Sequence, residues 1–361
     1  MLSRLSEFLR VFPFLLRNFR SGKATAIDIE LSNRCNLRCR MCWFHGEKGI
    51  GDQYEGSELK TDELIGFIDQ VAEHKPRIYL GGSEPFIRED LLSILEHIKK
   101  SNLSVMFSSN GTLLDSEKNK ALVNLGVDHV IFSIDGYEQL HDQIRGEGIF
   151  RKVTSNIKQL SEMKKQNNSD KPIISVNMTV TPFIVGHLEE SIRTIREATE
   201  DRVDFYRIHH LWYLTQKELL AHQSKIDKLL NCSAPGALSH LLRLAKDIDP
   251  LALSNEIRQL KDISKIKSFP NLRHNDIPTY YSDRSHIKYR CFAPFCSAVI
   301  KPNGDVRFCP DEWIDDYTLG NIRDDSFQNI WNNKKARYFR SVIFWHQSFA
   351  GCKRCSFMYS F

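Results

Sequence analysis

Three cysteines lie within eight residues of one another in the stretch "CNLRCRMC": Cys35, Cys39 and Cys42. A structural zinc site normally closes with four ligands, and His45 could supply the fourth. Three thiolates can instead hold a four-iron cluster and leave one iron open to an exogenous ligand. The spacing therefore predicts a metal centre, with zinc and an iron–sulfur cluster as the alternatives.

A second group of cysteines lies in the tail of the sequence. The segment "CFAPFCSAVIKPNGDVRFC" reads as a β-hairpin with "PNGD" as its turn, which would bring Cys291 and Cys309 together. Cys352 and Cys355, separated by two residues, would then complete a site of four thiolates. By chemistry alone this site suits either zinc or an iron–sulfur cluster.

Cys232 and Cys296 belong to neither group. A lone cysteine is usually a small buried hydrophobic residue, but a thiol can also return a hydrogen atom to a substrate radical. All nine cysteines occur without a signal sequence, which indicates a reducing compartment where thiols bind metals rather than form disulfides. We therefore expect a cytoplasmic protein.

Six β–α units precede the tail and must position these residues. Their strand candidates are "TAIDIEL", "RIYLGG", "LSVMFSSNG", "DHVIFSIDG", "IISVNMTVT" and "VDFYRIHHL". The alternation with helical patterns predicts an α/β fold with a parallel sheet, either doubly wound or barrel-like. Several strands end in polar or glycine residues, and the carboxyl ends of strands carry the chemistry in parallel barrels. We expect these motifs to face one mouth.

Five further polar residues lie at or near these strand ends: Asp135, Asn177, His209, His210 and Tyr213. Substrate contact and general-base catalysis are their candidate roles. Packing, or a hydrogen bond that orients a neighbouring residue, explains each of them equally well.

The chain divides into four predicted segments. Residues 1–24 read as a basic amphipathic helix, 25–214 as the barrel, 215–285 as a helical insertion, and 286–361 as a small metal domain. The N-terminal helix either covers one end of the barrel or contacts a membrane surface through residues 1–20. A net charge of +5 gives no reason to expect a nucleic-acid partner, and no apolar run is long enough to span a membrane.

The motif "CNLRCRMC" resembles the cluster loop of the radical S-adenosylmethionine enzymes, and the resemblance covers nearly the whole chain. In that family the open iron is chelated by the amino and carboxylate groups of S-adenosylmethionine. One electron from the cluster then cleaves the sulfonium and yields a 5′-deoxyadenosyl radical. The resemblance implies a partial (βα)6 TIM-like barrel and a [4Fe–4S] cluster held by the three cysteines.

The cosubstrate motifs are implied by the same resemblance. "GGSEP" is similar to the glycine-rich motif that binds the methionine amino group, "FSSNGTLL" to the third-strand motif, and "FSIDG" with "IRG" to the fourth-strand motif that holds the carboxylate. These motifs carry the residues expected to bind the cofactor, namely Gly82, Ser83, Glu84, Ser109, Asn110, Ser133 and Arg145. The chain departs from the family at Ser83, where glycine is usual, and at Met41, where an aromatic residue usually packs on adenine. Trp43 and Phe44 are the candidates to replace that aromatic residue.

The tail is similar to the auxiliary-cluster domain called SPASM, or to its shorter form, twitch. The resemblance implies an auxiliary [4Fe–4S] cluster with four cysteine ligands and no open iron, which favours electron transfer. The full domain has further cysteines beyond the Cys352–Cys355 pair. Because the sequence ends six residues after Cys355, we expect a single auxiliary cluster.

The reaction is expected to begin with hydrogen-atom abstraction from a small polar, sugar-like substrate, leading to oxidation or epimerisation. The one-cluster architecture resembles the twitch dehydrogenases and epimerases, and epimerisation would need a donor thiol such as Cys232 or Cys296. The alternatives are modification of a ribosomal peptide, including thioether crosslinks, and action on a lipid-linked substrate at a membrane. A one-electron donor such as flavodoxin or ferredoxin is the expected protein partner. A non-catalytic iron–sulfur carrier is disfavoured by the full set of cosubstrate motifs.

Overall fold

The computed structural model describes residues 17–46, 49–51, 57–241, 243–260, 265–272, 275–282 and 290–360. Most of the predicted N-terminal helix, and with it most of the predicted membrane contact through residues 1–20, lies outside these residues. Residues 17–24 are described and form turns and irregular backbone. No helix in the described part of the chain is long and apolar enough to cross a membrane.

A ten-stranded sheet organises the molecule, with strand order β10-β9-β8-β1-β2-β3-β4-β5-β6-β7. Strands β1 to β7 run parallel, and β8 pairs parallel with β1. The predicted α/β fold with a partial parallel barrel is confirmed. The strands are β1 Ala26–Glu30, β2 Arg77–Gly81, β3 Ser104–Ser109, β4 His129–Ser133, β5 Ile173–Thr179, β6 Phe205–His209, β7 Ile266–Phe269, β8 Ser297–Ile300, β9 Asp305–Arg307 and β10 Gly320–Asn321.

Helices cover the outer face of the sheet. Their apolar residues recur at helical spacing; in α1, for example, Leu64, Phe67, Ile68 and Val71 are all buried against the strands. The helices are α1 Thr61–Ala72, α2 Leu91–Lys100, α3 Ser116–Asn124, α4 Glu138–Arg145, α5 Ile149–Gln166, α6 Leu188–Ala198, α7 Gln216–Leu230, α8 Pro250–Gln259, α9 Asp276–Tyr281, α10 Phe327–Trp331, α11 Lys334–His346 and α12 Phe357–Ser360. Short 3₁₀ helices span Pro85–Ile87, Pro235–His240, Arg243–Asp247, Ala293–Phe295 and Gly351–Arg354.

The inner face of the barrel is polar near its mouth. Side chains alternate along each strand, so Ile27 and Ile29 are fully buried, while Asp28 and Glu30 occupy the opposite face of β1. Asp28 pairs in register with Tyr79 of β2, so the pattern continues into the neighbouring strand. The sequence therefore builds a barrel with an apolar outside under the helices and a polar inside at the mouth.

The segment 215–285 differs in one respect from the predicted helical insertion. Besides α7, α8 and α9 it contributes the strand β7, which pairs with β6 and extends the parallel sheet. Pairing satisfies the backbone groups that β6 would otherwise present at an open edge. The four-residue strand is too short to stand out from the polar sequence around it.

The tail forms the predicted hairpin. Strands β8 and β9 pair antiparallel, with Ile300 opposite Val306 and the turn passing through Gly304 at a φ of +91°. Because β8 also pairs with β1, the hairpin belongs to the same sheet as the barrel. The cysteine-rich tail is therefore fixed directly to the first strand of the barrel.

Candidate active site

A cavity of about 350 Å³ opens at the carboxyl ends of the parallel strands. The loop after β1 and the ends of β2 to β6 form most of its wall. Each of the three cysteines of the first group and each residue predicted to bind the cofactor lines this cavity, namely Cys35, Cys39, Cys42, Gly82, Ser83, Glu84, Ser109, Asn110, Ser133 and Arg145. The structure thus brings these ten residues together, and the roles given to them stay predictions.

Hydrogen-bond donors surround the three thiols. The backbone N–H of Leu37 lies 3.4 Å from the Cys35 Sγ, and the N–H of His45 lies 3.2 Å from the Cys42 Sγ. Arg145 Nη1 is 3.7 Å from the Cys39 Sγ. Burial raises the pKa of Cys39 to about 11, although the Arg145 guanidinium acts in the opposite direction. Metal binding would hold such buried thiols in their deprotonated form, and the donors would stabilise the negative charge.

The donor set fits an iron–sulfur cluster better than zinc. His45, the candidate fourth zinc ligand, has its Nε2 2.6 Å from the Ser83 hydroxyl. Across the described residues, no three His, Cys, Asp or Glu side chains converge in a way that could hold one metal ion. Zinc needs all its thiolates about 2.3 Å from one ion, whereas the thiolates of a four-iron cluster bind different irons. With the His45 ring engaged by Ser83, three thiolates beside an open cavity suit a cluster with one free iron.

Glu84 ties the ends of β2 and β3 together. Its buried carboxylate accepts hydrogen bonds from the Ser109 hydroxyl at 2.8 Å and from the Asn110 N–H at 2.7 Å. Burial raises the pKa of Glu84, and the bonds from Asn110 and Ser109 oppose that shift. Beside it, Gly82 has a φ of +90°, and a Cβ there would lie 2.8 Å from the Ser32 carbonyl oxygen. Only glycine lets the strand end approach the cysteine loop this closely.

Asp135 positions Arg145 and is not a cavity residue. Its carboxylate accepts from Arg145 Nε at 2.7 Å and from the Thr179 N–H at 2.6 Å, with no exposed side-chain surface. Burial disfavours the Arg145 charge, but Asp135 and Cys39 outweigh this effect and raise the pKa of the guanidinium above its usual value. Catalysis by Asp135 stays a prediction; in the structure both of its carboxylate oxygens are engaged, one by Arg145 and the other by Thr179.

The two adjacent histidines have different surroundings. His209 lines the cavity and packs edge-on against Trp212, with ring centroids 5.2 Å apart. His210 is not part of the cavity wall: its Nδ1 lies 3.0 Å from the Tyr281 hydroxyl and its Nε2 2.9 Å from the Ser268 hydroxyl. Catalysis by His210 stays a prediction; its ring points away from the cavity that His209 lines, because successive residues of an extended chain point to opposite faces. Burial lowers the pKa of both imidazoles to about 3, so both are neutral at pH 7.

Neither lone cysteine reaches the cavity. Cys296 directly precedes β8, whose first residue pairs with the first residue of β1, so it lies at the end of the barrel opposite the mouth. Its Sγ is 3.3 Å from the Phe292 carbonyl oxygen. Cys232 follows α7 and lies near the acidic side chains of Asp315 and Asp316, outside the cavity wall. Donation of a hydrogen atom by either thiol stays a prediction, and the position of both thiols outside the cavity wall does not support it.

The four cysteines of the tail meet around a second, smaller cavity. Cys291, Cys309, Cys352 and Cys355 line it together with apolar and aromatic side chains, among them Trp313. Burial raises the pKa of all four thiols, and the neighbouring thiolates raise that of Cys355 further. Four buried thiolates repel one another unless a cationic centre compensates them. The cavity and its donor set fit a cluster ligated only by cysteine.

Sequence reasoning missed part of the cavity wall. Glu30, Tyr79, Trp212 and Asp311 line the mouth, although none belongs to a motif that signals chemistry. The alternation of polar and apolar residues in β1 could have marked Glu30 as inward-facing. Asp311 follows the predicted ligand Cys309 by two residues, and only the fold of the tail places it at the mouth.

A buried ion-pair network attaches the tail to the mouth. Lys301, next to the turn of the hairpin, contacts the carboxylates of Glu30 on β1 and of Glu312. Arg307 of β9 contacts the second oxygen of Glu312 at 2.5 Å. Burial opposes these charges, but the opposite partners raise the pKa of Lys301 and lower that of Glu312. The tail therefore forms part of the wall of the main cavity.

Two family models match the sequence. Residues 29–202 match the radical SAM superfamily, and residues 291–356 match the iron–sulfur cluster-binding domain SPASM. The first match contains the loop with three cysteines, and the second contains all four cysteines of the tail.

Three relatives have functions stated in their names. A tungsten-containing aldehyde ferredoxin oxidoreductase cofactor-modifying protein of Pyrococcus furiosus is 26% identical over 336 residues, 91% of this chain and 86% of the relative. An AdoMet-dependent heme synthase of Methanosarcina barkeri is 32% identical over 56% of this chain and 60% of the relative. A PqqA peptide cyclase of Bradyrhizobium diazoefficiens is 26% identical over 55% of this chain and 50% of the relative. The chain spans less than two thirds of the length of the last two relatives.

Among solved structures, SuiB of Streptococcus suis bound to its precursor peptide SuiA has the same fold. The TM-score is 0.63 at 12% identity, with 98% of this chain and 74% of SuiB covered. The likeness extends over the barrel and the tail together.

Proposed function

We propose that this chain, which belongs to the radical SAM superfamily and carries a SPASM domain, modifies a ribosomally made peptide. Its cofactors are a [4Fe–4S] cluster, S-adenosylmethionine and an auxiliary iron–sulfur cluster. When bound, the first two supply a 5′-deoxyadenosyl radical that takes one hydrogen atom from the substrate. The observation that carries the proposal is the small size of the cavity beside the three cysteines.

The residues around the cysteines would hold the cosubstrate. Arg145, fixed by Asp135, presents a guanidinium fork at the wall of the cavity, which suits a carboxylate. Glu84 sets the position of the Asn110 backbone and so shapes the opposite wall. Ser133 lies at the end of β4 and adds to the polar lining.

The size of the cavity limits how much substrate can enter. A volume of about 350 Å³ lies near the lower end of the range that a drug-sized ligand fills. The cosubstrate is itself of drug size and would take up much of this volume, which leaves little room for a whole second molecule. A peptide can insert one side chain while its backbone stays outside the mouth. Tyr79, His209, Trp212 and Asp311 line the remaining space and would contact that side chain.

The relatives support a peptide more than a small sugar-like substrate. One of the three is named for a peptide substrate, and the SuiB fold admits a precursor peptide. The others are named for heme and for a metal cofactor, and none of the three for a sugar. The epimerase version of the earlier prediction also loses its basis, because Cys232 and Cys296 lie outside the cavity. A membrane-bound lipid substrate depended on residues 1–20, most of which lie outside the described part of the chain.

Transfer of deuterium to 5′-deoxyadenosine would test the proposal. Anaerobically reconstituted enzyme receives S-adenosylmethionine, reductant and either peptides or small metabolites, separated by size from cells of its host grown on a deuterated carbon source. We expect deuterium in 5′-deoxyadenosine with the peptide fraction, and loss of that label after the fraction is digested with protease. Label from the metabolite fraction alone, or label that survives proteolysis, would contradict a peptide substrate. Arg145→Met is the matched control, since it keeps the cysteines and removes the expected carboxylate anchor.

A further inference from the structure

Three aromatic rings form a continuous stack between the two cysteine sites. The rings of Trp43 and His240 have centroids 4.8 Å apart with an interplanar angle of 32°. The rings of His240 and Trp313 are 4.0 Å apart and nearly parallel, at 11°. His240 has no exposed surface and Trp313 has 2%. Each ring belongs to a different part of the chain: the first cysteine loop, the 215–285 segment and the tail.

Each end of the stack is next to a predicted cluster ligand. Trp43 directly follows Cys42 and itself lines the main cavity. Trp313 lines the second cavity with the four cysteines of the tail. It also packs so closely on Gly351 that a Cβ there would lie 2.7 Å from the indole ring. Gly351 precedes Cys352, so the ring also touches the backbone that presents the third cysteine of the tail.

The backbone fixes the stack in place. His240 Nε2 donates to the Asp311 carbonyl oxygen at 2.6 Å, and His222 Nε2 donates to the Trp313 carbonyl oxygen at 2.8 Å. His222 also accepts from the Gly351 N–H at 3.1 Å. Burial lowers the pKa of His240 to about 4, so the central ring is neutral at pH 7. Ordinary core packing would not require three π-faces in sequence to join the two cysteine sites.

We propose that Trp43, His240 and Trp313 form a relay for single electrons between the auxiliary cluster and the cluster at the mouth. This rests on the two clusters of the proposed function but not on the identity of the substrate. One electron would pass from the auxiliary cluster to the cluster at the mouth, so that the first is oxidised by one electron and the second is reduced by one electron. The rings are neutral before and after, and no proton moves. A one-electron donor of the ferredoxin or flavodoxin class supplies the electron.

The physical basis is electronic coupling through contact. Electron tunnelling decays steeply across empty gaps and less steeply through touching atoms. Stacked rings replace several such gaps with direct π-contact, and a rigid core keeps that contact constant. An aliphatic side chain of similar size fills the same space without the π-system.

The test follows electrons in the holoenzyme without any substrate. Both clusters are reconstituted anaerobically, and iron and sulfide are measured to show that each is complete. With S-adenosylmethionine bound, less than one electron per chain is then delivered by a photochemical deazaflavin reductant. Freeze-quenched EPR spectra follow the redistribution of that electron, because S-adenosylmethionine changes the signal only of the cluster with the open iron.

The informative variants differ only in ring character. His240→Leu should lose the fast, concentration-independent phase of redistribution, and His240→Phe should keep it. Trp313→Leu and Trp313→Phe form a second pair with the same expectation. Trp331 is a buried indole outside the stack, so Trp331→Leu is the matched control and should leave the fast phase unchanged.

The outcomes separate this inference from the proposed function. A fast phase that persists in both leucine variants overturns the relay, as does its absence from the wild-type protein. Equal loss in His240→Leu and His240→Phe would assign the effect to the bond with Asp311 and also overturn the relay. If both leucine variants fail to retain two clusters, the three rings serve to stabilise the cluster-binding sites, and the relay is refuted. A wild-type protein that binds only one cluster would instead refute the cofactor assignment.

Discussion

The buried pair of Asp135 and Arg145 allows a quantitative test of how the carboxylate anchor is held. Asp135 has no exposed side-chain surface and the Arg145 side chain has 10%. In Asp135→Asn the amide oxygen can still accept from the Thr179 N–H, but the amide NH₂ then faces the Arg145 Nε–H. The substitution therefore leaves a buried guanidinium without its counter-ion and sets two donors against each other.

The expected loss follows from the cost of an uncompensated buried charge. Removing one partner of a buried ion pair costs about 3 to 5 kcal/mol of unfolding free energy. An unfolding entropy of about 2.1 cal/mol/K per residue over 361 residues is about 0.76 kcal/mol/K. The midpoint of thermal unfolding should therefore fall by about 4 to 7 °C. Cluster loss makes unfolding irreversible, so variants are compared at one scan rate under anaerobic conditions.

A double variant identifies the cause. Asp135→Asn combined with Arg145→Met removes both charges, and replacing a whole buried pair by neutral groups is often close to neutral. We expect this double variant to recover most of the lost stability but to bind S-adenosylmethionine as weakly as Arg145→Met alone. Circular dichroism gives the midpoint and equilibrium dialysis gives the affinity. A double variant no more stable than Asp135→Asn would refute the argument, because the loss would not come from an isolated charge.

Three further predictions concern the glycine turn, a neutral histidine and the cysteines. Gly82→Ala should weaken cosubstrate binding and cost about 1 to 3 kcal/mol, because φ is +90° and a backbone oxygen lies 2.8 Å away. Gly66→Ala, in α1 with nothing within 4 Å, should instead stabilise by about 0.5 to 1 kcal/mol, as dialysis and thermal unfolding would show. Burial depresses the pKa of His210 to about 3 in the folded protein, from an ordinary 6.5. The unfolded chain therefore binds the proton first, and stability should fall as pH drops from 6.5 towards 3; His210→Phe should flatten that slope. Cys355→Ser should lower iron content by about four atoms per chain, whereas Cys232→Ser should leave it unchanged; equal iron loss in both would contradict the ligand assignment.

Much of the main site could be predicted because its motifs are local. Cys35, Cys39 and Cys42 sit in one loop, and the residues that the family resemblance assigns to the cosubstrate follow directly on strands whose apolar pattern was clear. The sequence also predicted the hairpin that brings Cys291 and Cys309 together. In each case the relevant partners lie within about twenty residues or at equivalent ends of parallel strands, where the geometry of the sheet aligns them.

The sequence could not decide the surroundings of a residue where they depend on the direction of its side chain. His209 and His210 are adjacent in sequence, yet one faces the cavity and the other a hydrogen-bonded core. Asp135 looked like a base at a strand end, but its partner Arg145 lies ten residues further on, at the end of α4. Cys296 lies in the cysteine-rich tail but at the opposite end of the barrel from the mouth. The type of a residue and its spacing in the sequence indicate the chemistry that it can perform. Only the register of the strands shows whether its side chain faces the cavity or the core.

The tail shows how a distant segment becomes part of the site. Ala26 of β1 pairs with Ser297 of β8. Close to this pair of strands, the side chain of Lys301 donates a hydrogen bond to Glu30, which lies 271 positions earlier in the sequence. Closing so long a loop costs conformational entropy, which the added strand and the buried charge network offset. The same attachment places Asp311 in the wall of the main cavity. Disruption of the four-cysteine site should therefore also disturb the wall of the main cavity, because one hairpin supports both.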